Sequence, residues 1–462
     1  MRRALAIAWL TFSEGVRMRM VLVFLVVLVF LMLRMPFALR GDETLTGRLQ
    51  NFLAYSLGAL SLLLGLATVF FSCATLTGEI KECSLQLVVT KPVSRFQILL
   101  GKWLGVNLLN LLMVLLCGGA IYGFAHFIRS RPGQFERDRL QMRDVVWTAR
   151  VAATPVVPAG EIAQAAAQSV EERIGTGEID KADQATAIMR RIEELKNRWR
   201  SIEGGEARLF EFKGLAPPER EDTVIQIRYK ARGIPLPPLE QLPIVWMICD
   251  PKTRAPLAQR ETHEHTGDTH QFLLRAGPAI RDGELALLVI NPASPSGGST
   301  IYFEGDNGLQ VLYKVSGFEA NYVKALAMVM LQLLLLSGIG LFFGTFVSFP
   351  VACLCTCAFY LFCAAMPFLL EAMGVGQVYT AARFDPYGTW GPTIRLFLVP
   401  FMKTVFPDFG RFSGPRYLVD GAYIPFPLLG ACLVHTLLYG GLLLLLPGWL
   451  IFRRREIAEV IV

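Results

Sequence analysis

Charge is what this sequence has little of. Only 18% of its 462 residues are Asp, Glu, Lys or Arg, against about 25% in ordinary soluble domains. The formal net charge is +7, and many of the cations flank apolar runs instead of crowding one polar domain. That distribution excludes a nucleic-acid binder, which gathers its Lys and Arg on a polar face. Cysteine in polar surroundings is also scarce. Cys73, Cys117, Cys353, Cys355, Cys357, Cys363 and Cys432 lie in apolar stretches, and Cys249 alone falls in the large polar region, so no disulfide framework exists there. Catalytic signatures are missing too. No G-x-x-x-x-G-K-[ST] occurs, so no loop of this chain cradles nucleotide phosphates in the P-loop manner. No H-E-x-x-H, nucleophile elbow or Ser–His–Asp pattern is present. Paired carboxylates such as Glu171-Glu172 and Glu193-Glu194 sit in charge-rich helical patterns and read as solvated faces. The expectation is a protein that is not itself an enzyme.

What the sequence has in plenty is apolar length: 53% of it is hydrophobic. A spanning helix needs about 20 mostly apolar residues. Six stretches qualify, at 19–39, 52–76, 103–127, 323–348, 351–373 and 426–452. The first is interrupted by Arg34 and Pro36. It is not a signal peptide, because its apolar core begins late and no small-x-small cleavage site follows. Lys and Arg in the short loops favour both termini in the cytoplasm. On that count Arg2, Arg3, Arg17, Arg19, Lys81, Lys91, Arg95, Lys102 and the run Arg453-Arg454-Arg455 are inside, and the long polar segment after the third span is outside. The fold class expected is a mainly α membrane protein with six transmembrane helices and a large extracytoplasmic α+β insert between helices three and four. Its parts are 1–127, holding an amphipathic N-terminal helix and three spans; the insert, 128–322; and 323–462, holding three spans and a short cytoplasmic tail.

One charged stretch separates the second and third spans: TGEIKECSLQLVVTKPVSRFQILLGKWLG, from Thr77 to Gly105. A short helix is expected from Glu79 onward. Pro92 stops it, because the residue before proline avoids the helical region. A second helix restarts at Ser94, a good N-cap residue. An ordinary basic loop that sets topology explains the charges equally well from physics alone. The pattern of Glu79, Glu82, Lys91-Pro92-Val93-Ser94-Arg95 and Gly101-Lys102 resembles the loop between spans two and three in permeases of the type-two ABC exporter family, including the branch associated with multi-copper enzyme maturation. Cys83-Ser84 stands where that family often has Gly-Thr. The resemblance implies that 77–102 is a coupling loop docking on a separate ATPase subunit. Its contacts would come from Glu79, Glu82, Lys91, Pro92, Ser94, Arg95, Gly101 and Lys102. It further implies an exporter permease working as a homodimer or heterodimer, an N-terminal helix along the lipid surface, and ATP-Mg bound by the partner. The location implied is a bacterial inner membrane. The alternative is a membrane-anchored extracytoplasmic binding or scaffold protein without transport.

In the insert, 159–202 reads as two helices broken at Gly175-Thr176-Gly177. The second carries Ala185, Ile188, Ile192, Leu195 and Trp199 as a packing stripe. From 207 to 315, seven short β-rich runs separated by Pro, Gly and Asp predict a β-sandwich. Within it, ETHEHTGDTHQ places His263 and His265 on one side of a strand, with His270 across a turn. Three imidazoles suit zinc or copper, but a solvated hairpin is the preferred reading. CLCTC at 353–357 spaces its thiols by two, about 200° apart on a helix, which favours packing over a metal relay. Asn107, Asn110 and His435 are polar groups at membrane depth, where interhelical hydrogen bonding is the expected role. The stretch 393–409 is an expected interfacial helix. No charged path runs through the spans, which argues against a small hydrophilic ion as cargo.

Overall fold

The computed structural model describes residues 2–38, 44–82, 93–130, 142–217, 224–237, 240–275, 279–292, 298–305, 307–372, 397, 400–402, 409–410 and 412–454. The chain divides into two compact units, Met1–Trp147 with Gly317–Val462, and Thr148–Ser316.

The first unit is helical. Helix α1 (Arg2–Arg17) is amphipathic in an unusual way, since the face it buries holds only small residues: Ala4, Ala8, Thr11 and Gly15. Leu5, Trp9 and Leu10 remain exposed, which suits an apolar surface such as lipid. Helices α2 (Arg19–Ala38), α3 (Leu45–Lys81) and α4 (Arg95–Ser130) follow. Thr44 caps α3, its hydroxyl accepting from the Gly47 N–H at 3.0 Å. After the insert come α7 (Phe318–Gly344) and α8 (Phe349–Ala372). The last helical run is α10 (Phe426–Leu437), a π-helical segment (Leu438–Leu445) and α11 (Leu446–Arg454), preceded by the short α9 (Gly414–Val419).

Among the described residues, four helices are long and apolar enough to cross a membrane: Leu45–Lys81, Arg95–Ser130, Phe318–Gly344 and Phe349–Met366. The sequence gives six candidates. The first and last appear as shorter apolar helices, Leu22–Leu31 and Phe426–Gly440. The expected interfacial helix at 393–409 falls largely outside the described residues. Where the chain leaves for the insert and returns from it, Trp147 stacks on Phe318 with ring centroids 4.1 Å apart. The Trp147 indole N–H donates to the Glu319 carboxylate at 3.0 Å, and the Arg129 guanidinium lies 4.6 Å from its ring.

The second unit holds ten described strands and two helices, α5 (Ala159–Gly175) and α6 (Gln184–Trp199). One sheet runs β1 (Thr148–Ala153), β10 (Leu309–Gly317), β4 (Val224–Ile234), β9 (Thr300–Phe303), β2 (Ser201–Ile202), with β7 (Thr269–Arg275) also on β4. The other runs β3 (Ala207–Lys213), β8 (Glu284–Ile290), β5 (Gln241–Cys249), β6 (Pro256–His265). Every pairing with an assigned register is antiparallel. Strand alternation explains the core, because residues two apart share a face. Phe210 and Phe212 of β3, Ile244, Trp246 and Ile248 of β5, and Ile225, Ile227 and Tyr229 of β4 enter one buried cluster. Helix α6 packs along α5 and ends on that core through Trp199, 5.3 Å from Phe210.

Candidate functional site

The stretch singled out in the sequence is built from the end of α3 and the start of α4. Lys91 and Pro92, and with them the segment 83–92, lie outside the described residues. Glu82 follows the last turn of α3 and is exposed, its N–H bonded back to Gly78. Ser94 opens α4 in a reciprocal cap: its hydroxyl accepts from the Gln97 N–H, and the Gln97 side-chain carbonyl accepts from the Ser94 N–H, both at 3.3 Å. The S-x-x-Q spacing makes this possible, since N-cap and third helical residue face each other.

Four of the expected contact residues, Glu79, Arg95, Gly101 and Lys102, engage neighbouring helices. Lys102 is 1% exposed. Its ammonium donates to the Thr75 carbonyl at 2.9 Å and meets the Glu79 carboxylate at 2.7 Å. Thr75 and Glu79 lie one turn apart on α3, so one lysine grips the last stretch of that helix. Gly101 touches α1: a methyl group there would sit 2.8 Å from the Ala4 carbonyl oxygen. One turn on, a methyl at Gly105 would sit 2.6 Å from the Ala8 carbonyl oxygen. Small residues at i and i+4 on both helices permit this backbone approach. Arg95 donates to the carbonyls of Phe452 and Arg453, at 2.6 and 2.8 Å. These belong to the end of α11, where carbonyls lack intrahelical partners and the helix dipole favours a cation.

Sequence reasoning missed Glu14 of α1. Burial raises the pKa of its carboxyl above the ordinary value, the nearby Lys102 ammonium opposes that, and Glu79 and Glu82 add to it. Four charges from three helices thus converge at this end of the bundle. The G-K-W-L-G spacing, Gly101 to Gly105, was the signal that could have revealed the α1 contact.

The remaining candidates resolve into packing and hydrogen bonds. Ser337 of α7 donates to the Asn107 side-chain oxygen at 3.1 Å, and Thr68 of α3 donates to that of Asn110 at 2.9 Å. The His435 ring lies 4.4 Å from Tyr439 and 5.4 Å from Phe412. Cys353 and Cys357 join Cys73 in one apolar cluster between α3 and α8, while Cys355, half a turn away, does not. The histidines meet other partners than one another's rings. His263 faces Glu261 at 3.1 Å, and the His270 ring meets the His265 carbonyl at 2.7 Å. Strand β6 pairs with β5 and β7 with β4, so the turn between them passes from one sheet to the other. Among the described residues no group of three or more His, Cys, Asp or Glu could hold a metal ion.

Over residues 5–136 the chain is similar to the family described as ABC-2 family transporter protein. The matched span runs from the first turn of α1 through α4 and includes the whole α3–α4 connection. The comparison with curated proteins gives no match.

Proposed function

We propose that this chain is the permease subunit of an ABC exporter, driven by ATP-Mg hydrolysis on a separate ATPase chain. Permeases of the ABC-2 family work with ATPase subunits. The observation that carries the reading is the family similarity over 5–136, which covers the charged α3–α4 connection. In this reading both termini and that connection are cytoplasmic, and the insert is extracytoplasmic. Helix α2 and the run from α10 to α11 complete six spans, and two permease chains pair to form the twelve-span unit. Glu82 and Ser94 flank the docking surface, to which the resemblance also assigns Lys91 and Pro92, outside the described residues. Glu79, Arg95, Gly101 and Lys102 belong to the same coupling element from within. The insert would engage a partner or bulky cargo outside.

Co-expression of the tagged chain with the Walker-motif ATPase of a neighbouring gene tests this. The ATPase co-purifies, and Glu82→Lys lowers its recovery while leaving the permease inserted, because a mispaired interface charge costs on the order of several kcal/mol. A chain that captures no such ATPase, and whose position 82 is labelled from outside the cell, is a membrane-anchored binding protein instead.

A further inference from the structure

An open groove with a volume of about 350 Å³ lies on the unit 148–316, where α5 and α6 meet the start of β3. Its apolar lining comes from Pro158, Ile162 and Ala165 on the α5 side and from Leu195 and Trp199, one turn apart on α6. The polar lining is Glu161, Arg198 and Arg208. Arg208 is oriented by the fold. Strand alternation puts it on the same face of β3 as Phe210 and Phe212. Its Nη1 donates to two carbonyls at the end of α6, those of Arg198 at 3.1 Å and Trp199 at 2.6 Å. Both lie in the last turn, where intrahelical partners run out. These bonds use one nitrogen of the guanidinium. Its Nε and Nη2 make no hydrogen bond or ion pair among the described residues, and neither does the Arg198 side chain.

The geometry points to this groove as a docking site for the carboxylate end of a peptide chain whose last side chain is apolar. A guanidinium edge with two N–H groups takes a carboxylate through two parallel bonds, and Arg208 keeps such an edge oriented because its remaining nitrogen is already bonded. Arg198 adds a second cation to the lining, while Glu161, the one acid in it, repels a carboxylate from the α5 side. Beside the cations, Ile162, Leu195 and Trp199 offer an apolar surface to the terminal side chain. The volume leaves room for the backbone that precedes it, and the open side lets the chain continue outward. Capture of a terminal carboxylate is a recurring mode of peptide recognition. An open groove suits a peptide better than an isolated small molecule, because small-ligand sites bury most of the ligand's surface. The groove lies wholly within 148–316 and does not depend on the permease reading.

The experiment uses the full chain in lipid nanodiscs and a fluorescent peptide, Gly-Gly-Ser-Gly-Phe, as the free acid and as the C-terminal amide, read by fluorescence anisotropy. The free acid binds saturably, and the amide binds on the order of tenfold more weakly, since bonds to a charged group are the strong ones. Arg208→Lys keeps a cation at the end of α6 but loses the two-pronged edge, and it lowers affinity for the free acid on the order of tenfold while leaving the amide unchanged. Ala165→Trp, at an exposed position in the groove, weakens both peptides. N-acetylphenylalanine, which lacks the preceding backbone, binds several-fold more weakly than the peptide. No saturable binding of the free acid up to about 1 mM overturns the site, and so does equal affinity for acid and amide. Unchanged affinity in Ala165→Trp overturns its location. N-acetylphenylalanine binding as tightly as the peptide makes the ligand a free small carboxylate and overturns the peptide occupant. If Arg208→Lys impairs insertion, the comparison of acid with amide on the unaltered chain decides the role of the carboxylate.

Discussion

Lys102 shows why charge type alone does not assign a role. In the sequence it is one more cation beside a span, equivalent to Lys91 or Arg95. In the structure its four-carbon stem lies inside the helix bundle and its head is matched by Glu79. Glycine is equally divided by context. Gly105 and Gly119 both sit in α4, but only Gly105 faces a backbone. Gly105→Leu is expected to lift α1 off α4, whereas Gly119→Leu, with nothing within 4 Å of the added carbon, leaves it docked. Tryptic cleavage after Arg17 in the membrane-embedded chain reads the difference. It should quicken several-fold in the first variant alone, since release of a docked helix is a local unfolding event. Equal rates in the two variants would show that α1 is not held through the glycine contact.

At the level of elements, the strands were legible wherever alternation was strong. All seven β-rich runs appear, as β3, β4, β5, β7, β8, β9 and β10. Three strands lie outside those seven runs. β2 has two residues, too few for a pattern. β6 is an edge strand in which Thr262 alone is buried, so its polar sequence read as a solvated hairpin. β1 follows an irregular charged stretch that masks it. The buried ring cluster in the insert carries a prediction. Trp246 is fully buried, 4.7 Å from Tyr229 and 5.3 Å from Phe272, and its indole N–H donates to Thr262 at 2.9 Å. Trp246→Ala should cost about 3–5 kcal/mol, measured by urea denaturation of the unit 148–316 followed by circular dichroism. Met189→Ala on the exposed side of α6 should shift the midpoint by less than about 0.5 kcal/mol. A Trp246→Ala loss as small as that of Met189→Ala would mean that the two sheets do not share a consolidated core.

For the whole molecule, the position of the insert is explained by strand order. The chain enters the unit on β1 and leaves on β10, and these are neighbours in one sheet. Adjacent ends let a self-contained domain interrupt a membrane protein without separating the helices it joins. Residues 148–316 expressed alone should therefore be soluble and unfold in one cooperative transition, and they should hold no stoichiometric zinc or copper, because no three ligating side chains among the described residues converge. A non-cooperative melt, or one metal per chain lost on changing His263 and His265 to Ala, would contradict this.

The sequence by itself determined four long apolar helices of the six it suggested, the place of the insert, most of its strands and the run of charges between α3 and α4. Those features are local: periodicity, runs of apolar length and helix caps are set by residues a few positions apart. The tertiary structure alone decided where the charges of that connection go. Thr75 and Glu79 meet Lys102 from a different helix, and Arg95 finds its acceptors more than 350 positions away, at Phe452 and Arg453. The buried ends of such pairs depend on how helices pack, and one-dimensional patterns of charge carry no record of which neighbour a side chain will face.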